Sequence, residues 1–108
     1  MSVLNMNADL FDQAVNGEEK PVLVEFWAPW CVYCRRIIPA LDKISQQYEG
    51  EILVGKVNID EEPKLAALEQ IAVVPTLILY RNGQALGSIV APESRARIDE
   101  FLEDFLGN

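Results

Sequence analysis

The stretch Val22-Leu-Val-Glu-Phe-Trp27-Ala-Pro-Trp-Cys31-Val-Tyr-Cys34 decides the fold. Its first half is a short apolar run after Pro21, which reads as a strand buried on both faces. Its second half puts two cysteines three residues apart where a helix begins. From residue 32 to residue 48 the chain carries Ile37, Leu41, Ile44 and Tyr48 on one helical face. Cysteines at i and i+3 of that helix share a side and lie within bridging reach. Cys31 falls at the helix start, where unpaired backbone N–H groups and the helix dipole favour a thiolate and lower its pKa. Cys34 lies one turn further in, with fewer free donors, and is the less acidic thiol. The asymmetry gives Cys31 the part of attacking nucleophile and Cys34 that of resolving thiol.

Outward from this segment, periods of helix and strand alternate. Upstream, Leu10, Phe11, Ala14 and Val15 recur at helical spacing after a cap at Asn7, and Gly17 closes the segment. A first strand is expected near Val3-Leu4. Pro39 sits inside the helix that follows the cysteines and predicts a kink there rather than a break. Ile52-Leu-Val-Gly-Lys-Val57 reads as a second buried strand. Asp60-Glu-Glu-Pro63 is expected to open a further helix bearing Leu65 and Leu68. Thr76-Leu-Ile-Leu-Tyr80 follows Pro75 as a third apolar strand, and Asn82-Gly83 is the dipeptide of a two-residue hairpin turn into a return strand from Gln84 to Val90. Ile98, Phe101, Leu102, Phe105 and Leu106 then complete an amphipathic stripe before Gly107. The order β-α-β-α-β-α-β-β-α implies an α/β domain with helices on both faces of one mixed sheet. At 108 residues the chain fits a single domain over 1–108.

Composition narrows the chemistry. The chain holds two cysteines and no histidine. That excludes a catalytic triad, a Cys-His dyad and imidazole metal ligands. A formal charge of −8 disfavours nucleic acid and anionic membrane surfaces as partners. The first residues show no basic leader with an apolar run, and no stretch has the length of a membrane span, so a cytoplasmic location is expected. Three readings of the cysteine pair compete. Half a zinc site lacks its other ligands in a chain without histidine. A static structural disulfide closes too small a loop to stabilise much, and a reducing compartment opposes it. Dithiol–disulfide exchange meets neither objection.

Phe26-Trp-Ala-Pro-Trp-Cys-Val-Tyr-Cys34 resembles the active-site segment of the thioredoxin family. Val57-Asn-Ile-Asp60, Val74-Pro-Thr76 and Arg81-Asn-Gly83 resemble the later landmarks of that family, in order and at its spacing, so the likeness covers essentially the whole chain. The resemblance implies a thioredoxin fold, with a central mixed sheet of about five strands flanked by about four helices. It implies reduction or exchange of disulfides in protein substrates, with no cofactor beyond the Cys31/Cys34 pair. A separate reductase, by likeness an NADPH-dependent flavoenzyme, would restore the dithiol, and the chain would act as a monomer. The runner-up is a redox-switched binding module that docks and regulates a partner without sustained turnover.

The likeness also assigns supporting residues. Glu25 stands where thioredoxins carry a buried aspartate, and would relay a proton to or from Cys34. Independently, a carboxylate in a desolvated strand has a raised pKa and can exchange protons near neutrality; the alternative is an acid that reaches water at the strand end. Lys56 resembles the lysine neighbouring that acid, where a pairing would oppose the rise, or else it is simply solvent-facing. Pro75 matches a proline whose preceding peptide bond is cis, here Val74–Pro75. Trp30, Val74, Pro75 and Ala91 match positions lining a peptide-docking groove. Arg35 and Arg36 read as solvated surface charges, and Trp27 as a packing residue. The chain departs from the family's usual pattern in three places: Val32-Tyr33 replaces Gly-Pro between the cysteines, Glu25 replaces aspartate, and Ala91 replaces glycine. Tyr33 adds a phenol able to hydrogen-bond or pack over the site, and the Ala91 methyl is expected to narrow the groove.

Overall fold

A computed structural model describes residues 3–17 and 20–107. In chain order the elements are β1 (Leu4–Asn5), α1 (Ala8–Gly17), β2 (Val22–Trp27), α2 (Val32–Arg36), α3 (Ile38–Gln47), β3 (Leu53–Asn58), α4 (Pro63–Leu68), β4 (Thr76–Arg81), β5 (Gln84–Val90) and α5 (Arg95–Leu106). The strands form one sheet in the order β1-β3-β2-β4-β5. β1, β3 and β2 run parallel, while β4 is antiparallel to β2 and β5 to β4. The expected mixed α/β architecture is thus present, with β2 at its centre.

Because side chains alternate along a strand, β2 feeds two cores. Leu23 joins Leu77 and Leu79 of β4 in a cluster closed by Leu41 and Ile44 of α3 and by Ile98, Phe101 and Leu102 of α5. Val22, Val24 and Phe26 point the other way, to Phe11, Ala14 and Val15 of α1 and Leu65 of α4. Most residues of the stripes read from the sequence are buried, but Leu10, Leu68 and Phe105 lie exposed. Full burial of a leucine or phenylalanine side chain contributes about 1.5–3 kcal/mol, and Leu23, Phe26, Leu41 and Leu77 are all wholly buried. The period-2 alternation carries Glu25 onto the Leu23 face, beside Lys56 on one neighbouring strand and Leu77 on the other.

Local signals act where their chemistry requires. Asn7 Oδ1 accepts the Leu10 N–H at 2.8 Å and caps α1. Asn82 and Gly83 both take positive φ, 53° and 78°, as a type I′ turn demands. The Gly83 N–H donates to Val15 O at 2.7 Å, fastening the hairpin to α1. Ser94 Oγ caps α5 by accepting the Arg97 N–H, and Gly107 ends it at φ 77°.

Two boundaries differ from expectation. The helix after the cysteines is divided at Ile37 rather than merely kinked. Pro39 has no N–H for the Arg35 carbonyl, and α2 closes at Ile37, whose N–H donates to Tyr33 O at 3.2 Å, before α3 begins. The acids Asp60 and Glu61 precede α4 rather than forming its first turn; Pro63 is its first residue. There the Asp60 N–H donates to Asn58 Oδ1 in the turn that follows β3. No helix among the described residues is long and apolar enough to cross a membrane.

Candidate active site

β2 ends at Trp27, and the chain turns through Ala28, Pro29 and Trp30 into Cys31. The Cys31 N–H closes this turn on Ala28 O at 3.1 Å. Cys31 is the N-cap of α2, with extended backbone, and its sulfur accepts the Cys34 N–H at 3.1 Å. This is the contact expected of a thiolate at a helix start: one unpaired backbone donor aimed at the sulfur. The two sulfurs form a disulfide with the Cα atoms 5.3 Å apart. Cys34 is fully buried, whereas Cys31 retains 9% exposure. Ala28 and the two cysteines form a small cluster of their own, flanked by Trp27, Tyr33, Ile59 and Val74. Trp27 therefore packs beside the disulfide, and Arg35 and Arg36 lie exposed.

The Val74–Pro75 bond is cis. Cys31 Sγ lies 3.9 Å from the Val74 carbonyl oxygen. Beside them opens a cleft of about 210 Å³ lined by Trp30, Ile59, Ile71, Ala72, Val73 and Val74. Trp30 is 66% exposed and is steadied by its indole N–H, which donates to Asp60 Oδ1 at 3.4 Å. Of the groove residues read from the sequence, Trp30 and Val74 line this cleft, while Pro75 and Ala91 are not among its lining residues. Ala91 reaches Pro75 through its own N–H, which donates to Pro75 O at 2.9 Å. Ile59, Ile71, Ala72 and Val73 complete the lining and have no groove role assigned from the sequence. The uncharged run Ile71-Ala-Val-Val74 before the proline was the available signal. Ala91 adopts φ 45°, in the left-handed region that favours glycine.

Glu25 is wholly buried, and both of its carboxylate oxygens lack a hydrogen-bond partner among the described residues. Desolvation pushes its pKa up to about 8, with the Lys56 charge opposing the rise. Lys56 does not hydrogen-bond to the carboxylate. Its ammonium stands 5.0 Å from the centre of the Trp27 ring, a cation–π placement that holds it near the acid without neutralising the desolvation penalty. The carboxylate likewise makes no hydrogen bond to either cysteine. Among the described residues no group of three or more Cys, Asp or Glu side chains is placed to hold a metal ion.

Comparison with known proteins agrees with this geometry. A family model described as thioredoxin matches residues 2–104. Thioredoxin 1 of Nostoc sp. is 44% identical over 96 residues, which cover 89% of this chain and 90% of that protein. Thioredoxin of Synechocystis sp. is 43% identical over 96 residues, with the same coverage of 89% and 90%. A chloroplastic M-type thioredoxin of Pisum sativum is 38% identical over 101 residues, covering 94% of this chain and 59% of its own length.

Two stability predictions follow from the site. An alanine in the left-handed region costs about 1–2 kcal/mol, and part of that is offset by the unfolded-state freedom a glycine brings. Ala91→Gly is therefore expected to stabilise the protein by about 0.5–1 kcal/mol in urea denaturation; a loss of stability would contradict the strain. For Glu25 the folded protein holds a proton that the unfolded chain releases above its ordinary pKa of 4.5. Stability must then fall as pH rises from there to about 8, by up to ~1.4 kcal/mol per pH unit. Glu25→Gln should flatten that slope and make the oxidised protein more stable than wild type at pH 8. Parallel slopes for the two proteins between pH 5 and pH 8 would show that the carboxylate is already ionised.

Proposed function

This chain belongs to the thioredoxin family of thiol–disulfide oxidoreductases, and from that premise we propose how its residues divide the work. The observation that carries the reading is the inequality of the two sulfurs: Cys31 is at the rim, beside Trp30 and Val74, and Cys34 is sealed beneath it. A substrate sulfur can reach only Cys31. The Cys31 thiolate, stabilised by the Cys34 N–H, attacks one sulfur of a protein disulfide. A mixed disulfide forms and the other substrate sulfur leaves as a thiolate. Cys34 loses its proton and attacks Cys31 Sγ, so the second substrate thiol departs and the Cys31–Cys34 disulfide remains. Two electrons have passed to the substrate. The apolar cleft receives an extended substrate segment against Trp30 and the Val74–Pro75 backbone.

Glu25 is the base that takes the Cys34 proton. Its raised pKa keeps it close enough to neutrality to give and accept a proton, and Lys56 keeps the ionised form accessible. With no hydrogen bond to the carboxylate among the described residues, a water molecule carries the proton between Glu25 and Cys34 in this reading. The family is reduced by a thioredoxin reductase. We take the reductase for this chain to be an NADPH-dependent flavoenzyme and place the protein in the cytoplasm as a monomer, without nucleic-acid or membrane partners. The formal charge of −8 supports the last point. The redox group is the cysteine pair itself, and no further cofactor is needed for the exchange.

Cys34→Ser leaves the mixed disulfide with no resolving thiol. Incubated with extract, this variant should accumulate covalent adducts at Cys31 that dithiothreitol releases, and Cys31→Ser should accumulate none. Adducts on Cys34 in the second variant would reverse the roles. Wild type should also turn over a protein disulfide continuously with a chemical reductant. Redox-dependent partner capture without such turnover would make the cleft the docking face of a switch. In Glu25→Gln, resolution of the mixed disulfide should slow by about tenfold or more and lose its rise through pH 8. Unchanged rapid-mixing kinetics would leave Glu25 no part in proton transfer.

A further inference from the structure

Tyr33, the residue between the cysteines that departs most in chemistry from the family's usual pattern, reaches out of the motif. Its phenol O–H donates to the Pro92 carbonyl at 2.7 Å, across 59 positions of sequence. Pro92 is buried and the bond is partly shielded from solvent. The Tyr33 ring packs both on the α3–α5 core and on the cysteine cluster, which leaves it little freedom to swing away. The next residue back from Pro92 is Ala91, whose N–H holds Pro75 O, and the residue before Pro75 is Val74, whose carbonyl lies against Cys31 Sγ. These links close a ring: Cys31, Tyr33, Pro92, Ala91, Pro75, Val74 and back to Cys31.

We propose that Tyr33 is a positioning residue for substrate docking, bracing the Ala91–Pro92 segment and, through it, the Val74–Pro75 wall against the redox motif. A residue without a donor at position 33 could not make this link. Ala91 gives the brace a purpose. Its backbone sits at φ 45°, a conformation an alanine leaves readily when nothing holds it, and Ala91 carries the bond that anchors Pro75. The phenol therefore compensates for the missing glycine by pinning the segment from its other side. A substrate that lies along the wall benefits from the bracing. A disulfide too small to touch the wall does not.

The proposal rests on disulfide exchange at Cys31, and its test keeps the two apart. Wild type and Tyr33→Phe are compared for kcat and KM on a protein disulfide and on hydroxyethyl disulfide. Tyr33→Phe keeps the ring and its packing and removes only the donor. The ratio of kcat/KM between protein disulfide and small disulfide is expected to fall roughly three- to tenfold, the range of one net hydrogen bond, mainly through KM. A purely structural role lowers both activities together and leaves the ratio unchanged, and that result overturns the proposal. Amide hydrogen exchange supplies a second readout. The Ala91 N–H should exchange faster in Tyr33→Phe, while the Leu77 N–H in the central sheet keeps its wild-type rate; equal rates at Ala91 in the two proteins would also overturn it. Failure of wild type to reduce either disulfide would refute the exchange reading instead, and the Ala91 amide would still report on the brace.

Discussion

A strand with helices over both faces has no wet side on which to place a charge, and β2 nonetheless carries Glu25. That constraint organises the molecule. Burial of β2 on both sides makes the sheet central and leaves α3 and α5 on one face and α1 and α4 on the other. It also fixes where the chain can next surface, which is the turn through Pro29 and Trp30 that delivers Cys31 to the rim. The carboxylate could have been satisfied by a close lysine. Instead Lys56 leans over the Trp27 ring, near enough to act through charge and too remote to hydrogen-bond. An unpaired buried carboxylate is costly when ionised, so it is kept protonated until the pH nears 8. The same desolvation that raises this pKa weakens the fold at alkaline pH.

Much of this was legible in the residues because local and global signals agree. The apolar run of β2, the stripes of α3 and α5, the Asn82-Gly83 turn and the Gly107 cap each have one favourable structural outcome, and each is found there. The helix boundary at Ile37 was less legible, because a proline inside a helical stripe can bend the helix or divide it. Pro39 removes the helical donor of the Arg35 carbonyl, and here the helix divides at Ile37. The acids at 60–62 were read as a first helical turn, yet Asn58 holds Asp60 in the preceding loop. Within the site, the cysteine spacing and Glu25 stand out in the sequence. The Lys56–Trp27 contact and the Tyr33–Pro92 bond do not, since they join residues far apart along the chain through side-chain directions that periodicity does not encode.

Two of the three departures from the family's usual pattern, Val32-Tyr33 and Ala91, meet at one wall of the site. Taken singly, each looks like a loss: a β-branched residue and a phenol replace a compact pair, and a left-handed position loses its glycine. Taken together they are coupled, because Tyr33 holds the carbonyl of the residue after Ala91. Sites in one hydrogen-bonded circuit do not act additively. Relief of strain at Ala91 should therefore matter less to the geometry of the wall while the phenol is present than when it is removed. If substrate docks along this wall as proposed, the pair acts as a single determinant of that docking rather than as two independent substitutions.

The third departure lies deeper and has a different consequence. A chain without histidine has no side chain that titrates near pH 7 in its ordinary state, so any proton acceptor for Cys34 must be a group displaced from its usual range. Glu25 is so displaced, upward, by burial. Its carboxylate, one methylene longer than an aspartate's, makes no hydrogen bond to either cysteine. In the proposed relay, water completes the proton path between Glu25 and Cys34. On that reading, deprotonation of the buried thiol depends on water reaching it as well as on the displaced pKa of the acid.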